Sequence, residues 1–375
     1  VSDNPLEGFG GMFGDIFSML GQQGPNAWFD TATQLALNIA RGEDGDPNPL
    51  PPERQRLEEL SPLIGRHVDA LFGVPSDPVV TAVNRTALTQ AALAQWRPHL
   101  EANVTTPPVI SSELAEANPM MAQMTQALGP LFAGFQIGSV AGHFSERAWS
   151  LAVLPLPRTN NDRLLVVNNL KQFAEDWSLD RDQVYCFATA QEFVASLVLS
   201  QPGVGDALRA LLIDTVKEST QAQGDIMSKL TSMINPEDMA SMMGNPEALL
   251  EGIEMPAETD ANRAINAAMS VLSAFFVAAG DEITEAIMGP HAPLTEAFKR
   301  HRRSDARGED AAAALFGIST QGPHHEKAAE FVATIQREYS LKAFDALLRV
   351  DGLPSAAELD APLAWYERVT NSPLA

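Results

Sequence analysis

Between residues 180 and 203 the chain reads DRDQVYCFATAQEFVASLVLSQPG, and this stretch decides the fold. Asp180, with Gln183 three residues on, makes a capping-box-like start: the cap side chain takes a backbone N–H that the first turn leaves without a partner. The helix so begun runs to about Leu199 and stops at Gln201-Pro202-Gly203. Phe187, Ala188, Ala195 and Val198 are the residues expected to pack it. Cys186, in the apolar run Val184-Tyr185-Cys186-Phe187-Ala188, reads as a small buried hydrophobe rather than a catalytic thiol.

Helical patterns flank this segment on both sides. Residues 30–40 carry the stripe Leu35, Ala36 and Ile39 behind a cap at Asp30 and Thr31. Pro52-Glu53 opens a helix through Leu60, with Pro near the first turn, where its missing N–H costs nothing. Another runs from Thr86 to Trp96 and is expected to stop before Pro98. The segment 120–144 is apolar and small, and Gly134, Gly138 and Gly142 recur every four residues on one helix face. Such spacing lets another element approach closely. Further helices are expected over 207–219, 261–287, 294–303, 326–337 and 341–348. Strand signals are few: the β-branched run 79–83, and the pair 151–156 and 163–167 joined by the polar turn Thr159-Asn160-Asn161-Asp162. The fold class is therefore mainly α with a small β-sheet (α+β). Residues 1–26, rich in Gly, Phe and Met, read as a flexible segment. Residues 27–375 read as one domain, divisible into an N-terminal helical lobe (27–130) and a core lobe (131–375).

Composition narrows the functions. Hydrophobic residues make up 45% of the 375 and charged residues 19%, which supplies a large core. The net charge is -23, from 48 acidic and 25 basic residues. Such a surface repels phosphate backbones and anionic lipid, so no nucleic acid and no membrane surface is expected as a partner. The single cysteine rules out an intrachain disulfide and any four-cysteine zinc site. The most apolar stretch, 269–279, is about half the ~20 residues of a membrane span. The first residues lack a basic start and an apolar run, so the expected location is cytoplasmic.

Catalytic zinc takes three protein ligands and keeps one open position. The helical solution places two His at i and i+4 with a Glu beside the first as general base. The seven histidines are His67, His99, His143, His291, His301, His324 and His325, and no two are four apart. His324-His325 are adjacent and point about 100° apart on a helix, so they read as solvated loop residues. His143, near Glu146 and Arg147, reads as a structural histidine. No Gly-x-Ser-x-Gly elbow and no phosphate-cradling glycine loop is present. The basic run Lys299-Arg300-His301-Arg302-Arg303 closes a helix, where positive charge suits the dipole. The methionines of 227–255 read as core filling or as an adaptable binding surface.

In order along the chain, the motifs resemble an actinobacterial zincin-like family labelled zinc-dependent metalloprotease or hydrolase. The marks include Asn84-Arg85-Thr86 with Arg97-Pro98, then Gln136, Gly138, Gly142 and His143, and Leu154-Pro155-Leu156-Pro157-Arg158. Asp176-Trp177-Ser178, Gly244-Asn245-Pro246-Glu247-Ala248, Leu294-Thr295-Glu296-Ala297 and Asp360-Ala361-Pro362 continue the series. The resemblance implies a zincin-like fold and a His-Glu-x-x-His helix. Counted without a gap from Asp176-Trp177-Ser178, that motif falls on Gln191-Glu192-Phe193-Val194-Ala195. The Glu is kept, as Glu192, a relic of the family's general base. Gln191 and Ala195 are vestigial metal positions, and a further acidic residue and His align with 273–278, where neither is present. No zinc or other cofactor is therefore expected. The implied protein is a catalytically inactive family member that acts through protein contacts, by residues 1–26 or 227–255. The alternative is a hydrolase whose site is rebuilt around Glu192 and His143.

Overall fold

In the computed structural model, every residue from Val184 to Leu199 is buried. A helix buried on all its sides belongs in an interior. The structure describes residues 26–371 except 44, 76, 78, 106–118, 234–257, 305–310, 312, 314 and 320–322. The expectations for residues 1–25 and for most of the Met-rich stretch lie outside the described residues.

The described helices are α1 (Ala27–Arg41), α2 (Pro51–Phe72), α3 (Arg85–Thr105), α4 (Pro119–Arg147), α5 (Val167–Asp176), α6 (Arg181–Leu199), α7 (Pro202–Met233), α8 (Asp260–Met288), α9 (Ala292–Ser304), α10 (Pro323–Tyr339) and α11 (Pro362–Thr370). Strands β1 (Thr81–Val83) and β2 (Leu164–Val166) pair in parallel, Ala82 opposite Leu165. The central helix is α6, with α8, α2 and α5 packed on it. Its start is as the sequence predicts: Asp180 Oδ1 accepts from the Gln183 backbone N–H at 2.9 Å.

The glycine face of α4 is the contact surface for α1. A Cβ on Gly134 would lie 2.5 Å from the Trp28 carbonyl oxygen, and one on Gly138 would lie 2.6 Å from that of Ala32. A Cβ on Gly142 would meet Ile39 Cβ at 2.6 Å. Opposite them, α1 buries Trp28, Ala32, Ala36 and Ala40. Small residues on both helices let the two backbones touch.

Several expectations change: the helix expected to end at Leu60 continues to Phe72, the one over 207–219 spans Pro202–Met233, and residues 341–348 form a 3-10 helix. Helix α3 does not stop before Pro98 but continues to Thr105. A mid-helix proline costs about 3 kcal/mol, yet Leu93, Trp96 and Leu100 are buried on either side of it, and that shared packing outweighs the break. Residues 151–153 form a 3-10 turn rather than a strand. The Ala152 N–H is taken by Ser150 Oγ at 3.2 Å and by Glu192 Oε2 at 3.2 Å, and Pro155 and Pro157 have no N–H to give a ladder. The apolar stretch 269–279 is part of a 29-residue helix, α8, long and apolar enough to span a membrane, but 72% of its most apolar window is buried inside the protein.

Cys186 is fully buried in α6. Burial pushes its thiol up to about 11, against the opposing pull of a hydrogen bond with Thr284. The thiolate is the reactive form. Ellman's reagent is therefore expected to leave the native chain unmodified near neutral pH and to titrate one thiol per chain in denaturant. Rapid native labelling would contradict the packing of α6.

Candidate functional site

The turn after α4 and the Leu-Pro-Leu-Pro-Arg segment lie against α6. Arg158 N–H donates to the Leu199 carbonyl at 3.2 Å, which ties the segment to the helix end. The Arg158 side chain then turns inward to Glu192. Nη1 donates to Oε1 at 2.5 Å and Nη2 to Oε2 at 3.0 Å. The Ala152 N–H donates a third bond to Oε2. Glu192 is 0% exposed and Arg158 5%. A paired fork of this kind is the strong form of carboxylate–guanidinium contact. A general base needs a free lone pair within reach of a water or substrate proton. The Glu192 carboxylate instead holds two donors of one arginine and a backbone amide, away from solvent.

One residue back along the helix, Gln191 faces elsewhere. It lines a small cavity of about 20 Å³ together with Ser273 of α8, Trp149, Arg147, His301 and Arg302, room for about one water. Gln191 is 8% exposed, and its Nε2 has no hydrogen-bond partner. Arg302 Nη1 donates to Ser273 Oγ at 3.0 Å. His301 stacks on Trp149 at 6.4 Å and meets Phe173 edge-on at 5.1 Å. Burial and the nearby Arg147 hold its imidazole below the usual histidine range, against a smaller opposite effect from Asp176. Arg147, Trp149 and His301 also line a wider polar cleft of about 480 Å³ between α4, α5 and α9.

The candidates named by the sequence thus separate. Gln191, expected at a vestigial metal position, and Ser273, the first residue of the stretch 273–278, both line one cavity. Ala195 is fully buried and does not line it. Glu192 and His143 are not brought together by any hydrogen bond: His143 Nδ1 lies 3.0 Å from Glu146 Oε2 on an exposed face. His324 Nε2 lies 3.3 Å from Glu258 Oε2 at the start of α10. His325 follows it on the same helix. The residues that sequence reasoning missed are Arg158, His301 and Arg302. The basic run on α9 was visible, but Lys299 and Arg300 are exposed, Arg300 pairing with Glu296, while His301 and Arg302 turn inward, and only the packing of α9 on Trp149 decides which.

A family model described as zincin-like metallopeptidase matches residues 28–366. The chain belongs to this family. Among solved structures, the crystal structure of "a putative hydrolase with a novel fold" from Chloroflexus aurantiacus is similar, with a TM-score of 0.59 and 15% identity, over 92% of this chain and 99% of that one. At that identity the likeness concerns the fold. A search of curated proteins gave no match.

Zinc is the metal the zincin-like family implies, and the residues present do not fit it. Gln191 offers a neutral amide where an imidazole or anion is wanted, and Ala195 offers no donor atom. Ser273 Oγ already accepts from a guanidinium. Arg147 and Arg302 line the same small cavity, and a guanidinium has no lone pair to give a metal. Among the described residues no group of three His, Cys, Asp or Glu comes together in a way that could hold a metal ion.

Proposed function

We propose that this zincin-like metallopeptidase family member is non-catalytic, and that it works as a scaffold through contacts with other proteins. The observation that carries the reading is the Arg158–Glu192 pair. The one residue of the inherited motif that could still act as a base is neutralised and enclosed. The kept motif frame, buried from Val184 to Leu199, then serves as the structural core of the protein. Gln191 and Ala195, at the positions that the resemblance gives to metal-binding histidines, supply a neutral amide and no donor atom, which supports the same reading.

The test is a cleavage assay on a mixed peptide library, read by mass spectrometry, with and without added zinc. The purified chain and its Glu192→Gln variant are expected to give the same background. Cleavage by the wild type that Glu192→Gln abolishes, in a variant of unchanged fold, would overturn the reading.

A further inference from the structure

Helix α4 carries no Asp, Glu, Lys or Arg from Pro119 to Ser145, in a chain of which 19% is charged. A helix that meets water ordinarily puts charged and polar residues on its outer face. Part of α4 is covered, since its glycines lie on α1 and α3 also packs against it. The side that bears Phe132 and Phe135 is open. Phe132, at 65%, is the most exposed large apolar side chain among the described residues, and Phe135 is 48% exposed. Residues three apart are neighbours on a helix, so the two rings form one patch. In the sequence the same spacing runs back through Leu128, Met124 and Met121.

Helices α1 and α4 run in parallel, with Trp28 beside Gly134 and Ala32 beside Gly138. The first turn of α1 is therefore level with residues 133–134 of α4. Residues 119–132 run on past it for about 20 Å, at 1.5 Å per residue. The chain enters α1 at that level. Shortly before it, Phe13, Ile16, Phe17 and Leu20 stand at i, i+3, i+4 and i+7, the spacing of one apolar helix face. A helix so short is marginal alone in water and needs a surface to pack on. Residues 21–26 join it to α1 and reach about 20 Å at full extension, enough to bring it onto α4.

We propose that the open side of α4 is the docking surface for this chain's own residues 12–20, which pack on Phe132 and Phe135 as a short helix with Phe13, Ile16, Phe17 and Leu20 against them. The tether favours this occupant over a separate protein, because a short linker holds the segment at an effective concentration in the millimolar range. The inference does not depend on the non-catalytic reading. It adds a condition to contacts made through residues 1–26: a partner that takes them has to displace them from α4.

The experiment is hydrogen exchange of the full chain, read by mass spectrometry beside a synthetic peptide of residues 1–26. The backbone amides of residues 16–20 are expected to exchange roughly tenfold or more slowly in the chain than in the peptide. Tenfold dilution of the chain is expected to change nothing. The double variant Phe132→Ser with Phe135→Ser, both at exposed positions, is expected to return these amides to the peptide's rate while α6 keeps its protection. Equal rates in the wild-type chain and the peptide overturn the proposal without any variant having to fold. Protection that survives the double substitution, with α6 intact, overturns it too, because the segment then packs elsewhere. Protection that fades on dilution also overturns it and gives the surface to a second copy of the chain.

Discussion

Arg158→Met is expected to lower the free energy of unfolding by about 3–5 kcal/mol, because it leaves the Glu192 carboxylate buried without its hydrogen-bonded counter-charge, Arg163 acting on it only through space. Both partners are almost wholly enclosed, at 2% and 0% side-chain exposure, so solvent does not rescue the orphaned charge. The Ala152 amide is the hydrogen-bond donor that remains to it. Replacing both partners, Arg158→Met with Glu192→Met, removes the charge along with the pair. Swaps of a buried ion pair for apolar residues of similar volume are often neutral or stabilising, so the double variant is expected to recover most of the loss. Urea denaturation with linear extrapolation measures each variant. A single variant within about 1 kcal/mol of wild type would mean that the pair is not formed in solution.

Gly138→Ala is expected to destabilise by about 1–3 kcal/mol, the usual range for overpacking. Alanine is the better helix former by about 1 kcal/mol, so helix propensity predicts the opposite sign. The clash decides it. The added Cβ would lie 2.6 Å from the Ala32 carbonyl oxygen and 2.9 Å from Ala32 Cα. These are backbone atoms of α1 and cannot swing aside as a side chain could. Gly129, on the same helix, is the control, since a Cβ added there would meet nothing within 4 Å. Gly129→Ala is expected to be neutral or to stabilise by up to about 1 kcal/mol. Thermal unfolding of the two variants side by side reads the difference. Equal effects would deny the close crossing of α1 and α4.

The two sites differ in how far the sequence exposes them. Local rules suffice for α6, since its cap, its apolar content and its Pro-Gly stop all lie within 24 residues of chain. The glycine face of α4 is equally local, because three small residues at i, i+4 and i+8 can only lie on one side of a helix. The partner helix α1, about a hundred residues earlier, is not implied by that spacing. The sheet is hidden for the same reason. Residues 164–166 were legible as a strand, but their partner is Thr81–Val83, more than 80 residues distant, and not the neighbouring apolar run at 151–156. Parallel pairing needs a long crossover, so nearness in sequence misleads there.

The candidate site was half legible. Counting along the motif frame points to Gln191, Glu192 and Ala195, whose side chains include no imidazole. It could not show which residues surround them. Arg158 is 34 residues from Glu192, and His301 and Arg302 are over a hundred residues from Gln191. Their meeting depends on how the Leu-Pro-Leu-Pro-Arg segment and α9 pack against α6. Among the many arginines of the chain, nothing in the local sequence of Arg158 marks it as the one that reaches Glu192.

Metal content tests the central claim most directly. The chain is purified without chelator from cells grown in zinc-supplemented medium, and bound metal is counted by elemental mass spectrometry against protein concentration. The expected result is far less than one zinc per chain, unchanged in Gln191→Ala. One zinc per chain, lost in Gln191→Ala or in Glu192→Ala, would contradict it.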